Sequence, residues 1–215
     1  MYKEQTLIAA SAALLVFLIF SYSLEIIAYD KSFYNEQYEK NGIYKRFGKE
    51  NVDKTTNELL TYLRYEKGET LMTTSFFNQK EKQHLLDVKN LLQKESRFCT
   101  WMTGVFLAML FLLFPAARGG QHPYRKVLLC AGAVGLGGIL VLGLFLLLNF
   151  STAFTTFHLL LFTNDLWMLN PATDNLIVLF PETFWIAMAG RLFLVIGLFY
   201  GCLLAAGSFL TAQSH

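Results

Sequence analysis

Hydrophobic residues gather into four long runs. Leu7 to Leu24, Phe98 to Ala117 and Val127 to Phe150 contain no charge, and Thr183 to Thr211 contains only Arg191. Each run reaches or nearly reaches the roughly 20 residues that cross about 30 Å of hydrocarbon. Backbone N–H and C=O groups find no water in that layer, so each run is predicted to be a helix and not an open strand. In the first run the small residues Ala9 to Ala13 precede the apolar stretch instead of following it, which is the pattern of an uncleaved anchor and not of a signal peptide. The predicted fold is an all-α membrane protein with four transmembrane helices.

Polar residues concentrate between the first two runs. A Tyr- and Phe-rich stretch, Tyr29 to Phe47, suits the headgroup layer and is expected to lie along the membrane interface. Two helical patterns follow, one with Val52, Leu59, Leu60 and Leu63 on one side, the other with Leu85, Val88, Leu91 and Leu92, separated by a break at Gly68. Asn78 with Glu81 three residues later forms a capping pair at the start of the second. His84 falls in the same row as Val88 and Leu91, so its ring is expected to face the interior. Between the last two runs, residues 151–182 mix polar groups into a strongly apolar stretch broken by Pro171 and Pro181. An irregular, re-entrant or cavity-covering segment is expected there, because irregular backbone at membrane depth needs cover from protein or water.

The short loop ARGGQHPYRK carries Arg118, Arg125 and Lys126 without an acid, which makes it cytoplasmic by the positive-inside rule. Both chain ends then share the cytoplasmic side, and the two longer connections face outward with His84 and His158. Residues 1–27 would hold the N-terminus and first span, 28–97 an extracytoplasmic helical segment, 98–117 the second span and 118–126 the cytoplasmic loop. Residues 127–150 would form the third span, 151–182 a second extracytoplasmic or interfacial segment, and 183–215 the fourth span with the cytoplasmic C-terminus.

Composition sharpens this picture. Hydrophobic residues make up 54% of the chain and charged ones only 16%, where a soluble domain carries about 25% charged residues. Net charge is +2, with no basic stripe of the kind nucleic acid requires, so nucleic acid is not an expected partner. Cys99, Cys130 and Cys202 lie in or against apolar spans without CxxC spacing and read as small apolar residues.

Candidate chemistry rests on few groups. His215 ends the chain and His122 lies in the cytoplasmic loop, leaving His84 and His158 as the outward pair, whose imidazoles suit proton transfer near neutral pH. Asp165, Asp174 and Glu182 are the acids of the second outer segment, and Glu25 and Arg191 flank it on the first and fourth spans. Ionisable groups this close to lipid are costly and tend to be paired or functional. Glu182 after Pro181 also reads as a helix start, the acid favouring the positive end of the fourth span. Arg191 reads equally as an anchor for phosphate or carboxylate and as the ion-pair partner of Glu25 or Glu182. His84, Asp87 and His158 form an alternative metal set, against which stands the absence of HExxH or comparable spacing. No GxSxG elbow or activated cysteine marks a covalent nucleophile.

Three strings carry a resemblance: EKQHLLDVKNLL, FHLLLF, and DLWMLNPATDNLIVLFPETFW. With the four-span layout, they make the chain similar to the lipoprotein intramolecular transacylases of Gram-positive bacteria. The resemblance implies a membrane-anchored substrate whose N-terminal Cys carries a diacylglyceryl thioether, and transfer of the sn-2 acyl chain to the α-amino group, giving the lyso form. It matches His84 and His158 to the family's two active-site histidines; Trp167, Asp165, Asp174 and Glu182 fall in the matching string, and Arg191 follows it. Neither cofactor nor metal is implied, and the partners are the lipoprotein and membrane lipids, with the enzyme a monomer. An α-amino group has a pKa of about 7.7–8.0, so a neutral imidazole can take its proton as it attacks. His158 is assigned that role and His84 an orienting or oxyanion-donating one, with the reverse assignment open. Two rival readings stay in view: a non-catalytic membrane assembly factor, and a metal-dependent membrane hydrolase.

Overall fold

The structure is a computed structural model and describes residues 2–65, 68, 71–118 and 122–212. His215 and the loop residues 119–121 lie outside the described residues. The chain forms α1 (Tyr2–Ala28), α2 (Lys31–Lys40), α3 (Ile43–Phe47), α4 (Lys49–Tyr65), α5 (Gln79–Leu112), α6 (Phe114–Arg118), α7 (Pro123–Leu148), α8 (Phe150–Leu161), α9 (Asn175–Leu179) and α10 (Glu182–Ala212), with no strand among the described residues. Four helical runs are long and apolar enough to cross a membrane: Tyr2–Ala28, Gln79–Arg118, Pro123–Leu148 and Glu182–Leu210. The second spans 40 residues, about 60 Å at a rise of 1.5 Å per residue and twice the thickness of hydrocarbon. Only its charge-free part, from Phe98 onward, suits lipid, and we take that part as the membrane-spanning segment. Pro115 has no N–H to donate and its ring crowds the preceding turn, which accounts for the turn at Leu113 between α5 and α6.

The fold divides into two compact units. One comprises residues 1–26, 97–147 and 191–215, which hold the greater part of the four apolar runs. Its buried centre contains Ile8 and Ala12 of α1, Leu113, and Val127 and Ala131 of α7, with Leu203 of α10 packed against them. Glycines permit close approach of α7 and α10: a Cβ on Gly132 would stand 2.7 Å from Leu204 Cγ, and one on Gly135 would stand 2.6 Å from the Tyr200 ring. Small residues bring helices together in lipid because no hydrophobic effect drives them there and packing must suffice. Tyr200 then donates its hydroxyl to the Val16 carbonyl at 2.9 Å, satisfying a polar tip in an apolar setting.

The second unit comprises residues 27–96 and 148–190. α2 starts where the Asp30 carboxylate accepts from the backbone N–H of Ser32 at 3.0 Å. α4 buries Val52, Thr55, Thr56, Leu59, Leu60, Tyr62 and Leu63, the expected one-sided pattern. Within the aromatic stretch, Phe33, Tyr34 and Tyr38 are buried and pack against Phe180 and Phe184, a core that composition alone did not announce. Tyr38 can be wholly enclosed because its hydroxyl pairs with Thr56 Oγ1 at 3.0 Å.

Residues 151–182 are more ordered than an irregular segment. The third apolar run stops at Leu148 because Asn149 takes extended backbone and its side chain accepts from the Thr152 N–H at 3.1 Å, starting a new helix, α8. α8 ends at Phe162, α9 is a single short turn after Asp174, and α10 begins directly after Pro181. Irregular backbone is confined to residues 162–174 and to the two residues between α9 and α10.

Candidate active site

His84 lies in the second turn of α5, and the start of that helix is tightly held. Asn78 Oδ1 accepts from the Glu81 N–H at 3.1 Å while a Glu81 carboxylate oxygen accepts from the Asn78 N–H at 2.6 Å, the reciprocal capping arrangement expected from sequence. Glu81 is 1% exposed and its other oxygen accepts from the Leu176 N–H, so one buried carboxylate closes α5 and also holds α9. Asp174 takes hydrogen bonds from Asn78 Nδ2 at 2.8 Å, the Asn170 N–H at 2.7 Å and Thr173 Oγ1 at 3.0 Å. Those donors, the Asn170 N–H first, hold its carboxyl below the usual carboxylate range. Asn164 donates to Asp87 at 2.9 Å, Asn175 to the Phe76 carbonyl at 2.7 Å, and Lys80 to the Met168 carbonyl. The irregular segment is therefore stapled along the first turns of α5.

His158 lies in the last turns of α8. Its Nδ1 is 2.7 Å from the carbonyl oxygen of Phe154, one turn back. A carbonyl only accepts, so Nδ1 carries the proton and Nε2 is left with a free lone pair. Aromatic rings surround it, with centroids of Phe154 at 4.2 Å, Trp167 at 5.0 Å, Phe157 at 5.5 Å and Phe162 at 5.7 Å. The His84 ring is 6.1 Å from that of His158, and Phe162 packs on His84 as well, at 5.1 Å.

The two histidines are 7% and 8% exposed. Burial lowers the pKa of His84 to about 4, helped by the neighbouring His158 and opposed by Asp87. Burial also lowers that of His158, against the hydrogen bond to Phe154, which favours the charged form. Both imidazoles are accordingly neutral at physiological pH. Two buried nitrogens at this place have no hydrogen-bond partner, His84 Nδ1 and Trp167 Nε1. Leaving such a group unpaired costs about 1–3 kcal/mol.

Of the residues singled out from sequence, the structure gathers His84, His158 and Trp167. Asp174 is a structural clamp, Asp165 is exposed, and Glu182 is exposed in the first turn of α10, where a carboxylate favours the helix start. Arg191 belongs to the other unit. Among the described residues no three His, Cys, Asp or Glu side chains come close enough to hold a metal, so the set His84, Asp87 and His158 does not form. Sequence reading missed Phe154 and Phe162, which wall the histidines; Phe154 stands four residues before His158, the spacing that stacks side chains on one helix face.

A neutral base of defined tautomer, walled by aromatic rings, can accept a proton from an incoming nucleophile, and the unpaired Trp167 N–H beside it can hold a developing negative charge, as can His84 Nδ1 when protonated. The family model for "lipoprotein intramolecular transacylase Lit" matches residues 9–185. No curated protein matches the sequence. Among solved structures, the fold is similar to that of the membrane-integral lipoprotein intramolecular transacylase Lit from Bacillus cereus, with TM-score 0.86 and 22% identity over 99% of this chain and 98% of that one. A histidine-to-alanine variant of that enzyme superposes with TM-score 0.82 at 22% identity, over 99% of this chain and 96% of that one. With the family model covering most of its length, the chain belongs to the lipoprotein intramolecular transacylase family.

Proposed function

We propose that this enzyme moves the sn-2 acyl chain of a diacylglyceryl-modified lipoprotein to the α-amino group of its N-terminal Cys, with His158 as general base. The observation that carries the assignment is the 2.7 Å contact between His158 Nδ1 and the Phe154 carbonyl, which leaves Nε2 as the proton acceptor. As the amine nitrogen bonds to the ester carbonyl carbon, its proton passes to Nε2. The tetrahedral centre collapses, the bond from carbonyl carbon to glycerol oxygen breaks, and that oxygen takes the proton back from His158. Substrate and product are isomers, so no co-reactant is consumed.

His84 donates to the carbonyl oxygen in its Nδ1–H form, which its unpartnered Nδ1 leaves free to do. No protein nucleophile is required, because amine and ester belong to one molecule and effective molarity is worth up to about 7–11 kcal/mol. The aromatic wall of Phe154, Phe162 and Trp167 beside His158 supports transfer to nitrogen over hydrolysis. By the positive-inside pattern the site faces the extracytoplasmic side, with both chain ends cytoplasmic.

The deciding experiment is mass spectrometry of a lipoprotein's N-terminal peptide from cells with and without this enzyme. An acyl group relocated from glycerol to nitrogen is expected only with the enzyme, and identical peptides in both would refute the reading.

A further inference from the structure

We propose that the indole N–H of Trp167 is a catalytic hydrogen-bond donor that holds the ester carbonyl oxygen while negative charge develops on it. The inference rests on the transacylase reading and adds a second donor to the one assigned to His84. An indole nitrogen donates and cannot accept. In Trp167 it is shielded from solvent and donates to nothing, although the ring lies 5.0 Å from that of His158. Trp185, in the same unit, shows how an indole with a structural role behaves: its Nε1 donates to the Phe180 carbonyl at 3.1 Å. Among the described residues the only other buried side-chain nitrogen without a partner is His84 Nδ1, on the ring 6.1 Å from His158. Two unused nitrogens thus border one proton acceptor, and nowhere else among the described residues does this occur.

The balance of the step requires such donors. When the amine nitrogen bonds to the carbonyl carbon, the π pair of the C=O moves onto oxygen and the amine proton goes to His158. The oxygen carries a full negative charge until it re-forms the double bond and the C–O bond to glycerol breaks. The rings packed on the two imidazoles, those of Phe154, Phe157, Phe162 and Trp167, carry no positive charge and stabilise an anion poorly, so fixed N–H groups serve that purpose. The interaction strengthens only as charge appears, and its loss therefore belongs in kcat and not in KM.

The test replaces Trp167 with 3-benzothienylalanine, in which sulfur takes the place of the indole N–H and the ring keeps its shape. The full chain is reconstituted in liposomes with a diacylglyceryl lipopeptide, beside wild type. A fall in kcat of about 10²- to 10³-fold is expected, with KM and the pH of half-maximal kcat unchanged. Wild-type kcat in this variant, or a shifted pH midpoint pointing to an effect through His158, would overturn the role. Trp167→Phe, which also keeps a ring without the N–H, is expected to show the same fall; should it not fold, the sulfur analogue decides alone. Absence of acyl migration with the wild-type enzyme would sink the transacylase reading and this inference with it, whereas migration at full rate in the variant removes only the part given to Trp167.

Discussion

Asn78 donates to Asp174 at 2.8 Å across 96 residues of chain. The bond joins the residue that opens α5 to the residue that opens α9, and the irregular segment bearing Trp167 ends on it. Since Asn78 and Glu81 also cap each other, the position of His84 and the path of residues 162–174 are set by one connected group of hydrogen bonds. Asp174→Ala leaves Asn78, Asn170 and Thr173 without their acceptor. A loss of about 2 kcal/mol is expected, seen as a lowered melting temperature in detergent, together with reduced kcat. Asp174→Asn keeps the acceptor oxygen and should lose less on both counts.

Replacing His158 with Ala should abolish formation of the lyso product, since general-base assistance contributes about 10²- to 10⁴-fold. His84→Ala should retain a residual rate. Initial rates from purified variants with matched thermal stability separate the two roles, and equal residual rates would mean that the assignment of base and donor is wrong.

Stability should fall as the medium is acidified below pH 6.5. Both histidines have pKa values below their ordinary one, His84 at about 4, so between that value and 6.5 these two side chains bind more protons in the unfolded chain than in the folded one, while Glu81, whose carboxyl burial raises above its ordinary value, contributes in the opposite sense. By linkage the folded state then gains stability as pH rises through this window and loses it as pH drops. Thermal melts from pH 7 to 4 test this, and His84→Gln should flatten the acid limb.

Phe162 packs on both imidazoles and is 9% exposed. Phe162→Ala should lower stability by about 3–5 kcal/mol if the cavity does not collapse. Water admitted to the enclosure should also raise the pKa of His84 from about 4 toward 6.5. Titration of histidine ring resonances reads the shift, and release of free fatty acid by the variant would report hydrolysis in place of transfer.

A Cβ at Gly135 would stand 2.6 Å from the Tyr200 ring, at its near atoms and not at a flexible end. Gly135→Ala should destabilise the span unit by about 1–3 kcal/mol through overpacking. Tyr200→Ala in the same chain should recover part of that loss, and a melting temperature unchanged by Gly135→Ala would refute the close approach.

Much of this architecture was legible in the sequence because lipid imposes a simple rule. A charge-free run of about 20 residues has one stable form in hydrocarbon, the helix, whatever the rest of the chain does. The Asn78 and Glu81 pair was legible for a similar reason: a cap is a contact over three residues and needs no tertiary partner. The amphipathic face of α4 was open to the same local reasoning, since its period alone shows which side is buried.

Reasoning of that kind stopped where contacts became distant. The Tyr- and Phe-rich stretch has the composition of an interfacial segment, and only the arrival of Phe180 and Phe184 makes it a core. Asp174 found a donor, and the second oxygen of Glu81 another, on elements distant in the chain, which no local pattern announces. The meeting of His84, His158 and Trp167, the tautomer of His158 and the missing partner of the Trp167 nitrogen were all decided by packing. Proton affinity and hydrogen-bond satisfaction depend on what surrounds an atom in space, and pattern along the chain carries that information only for neighbours one or two turns away.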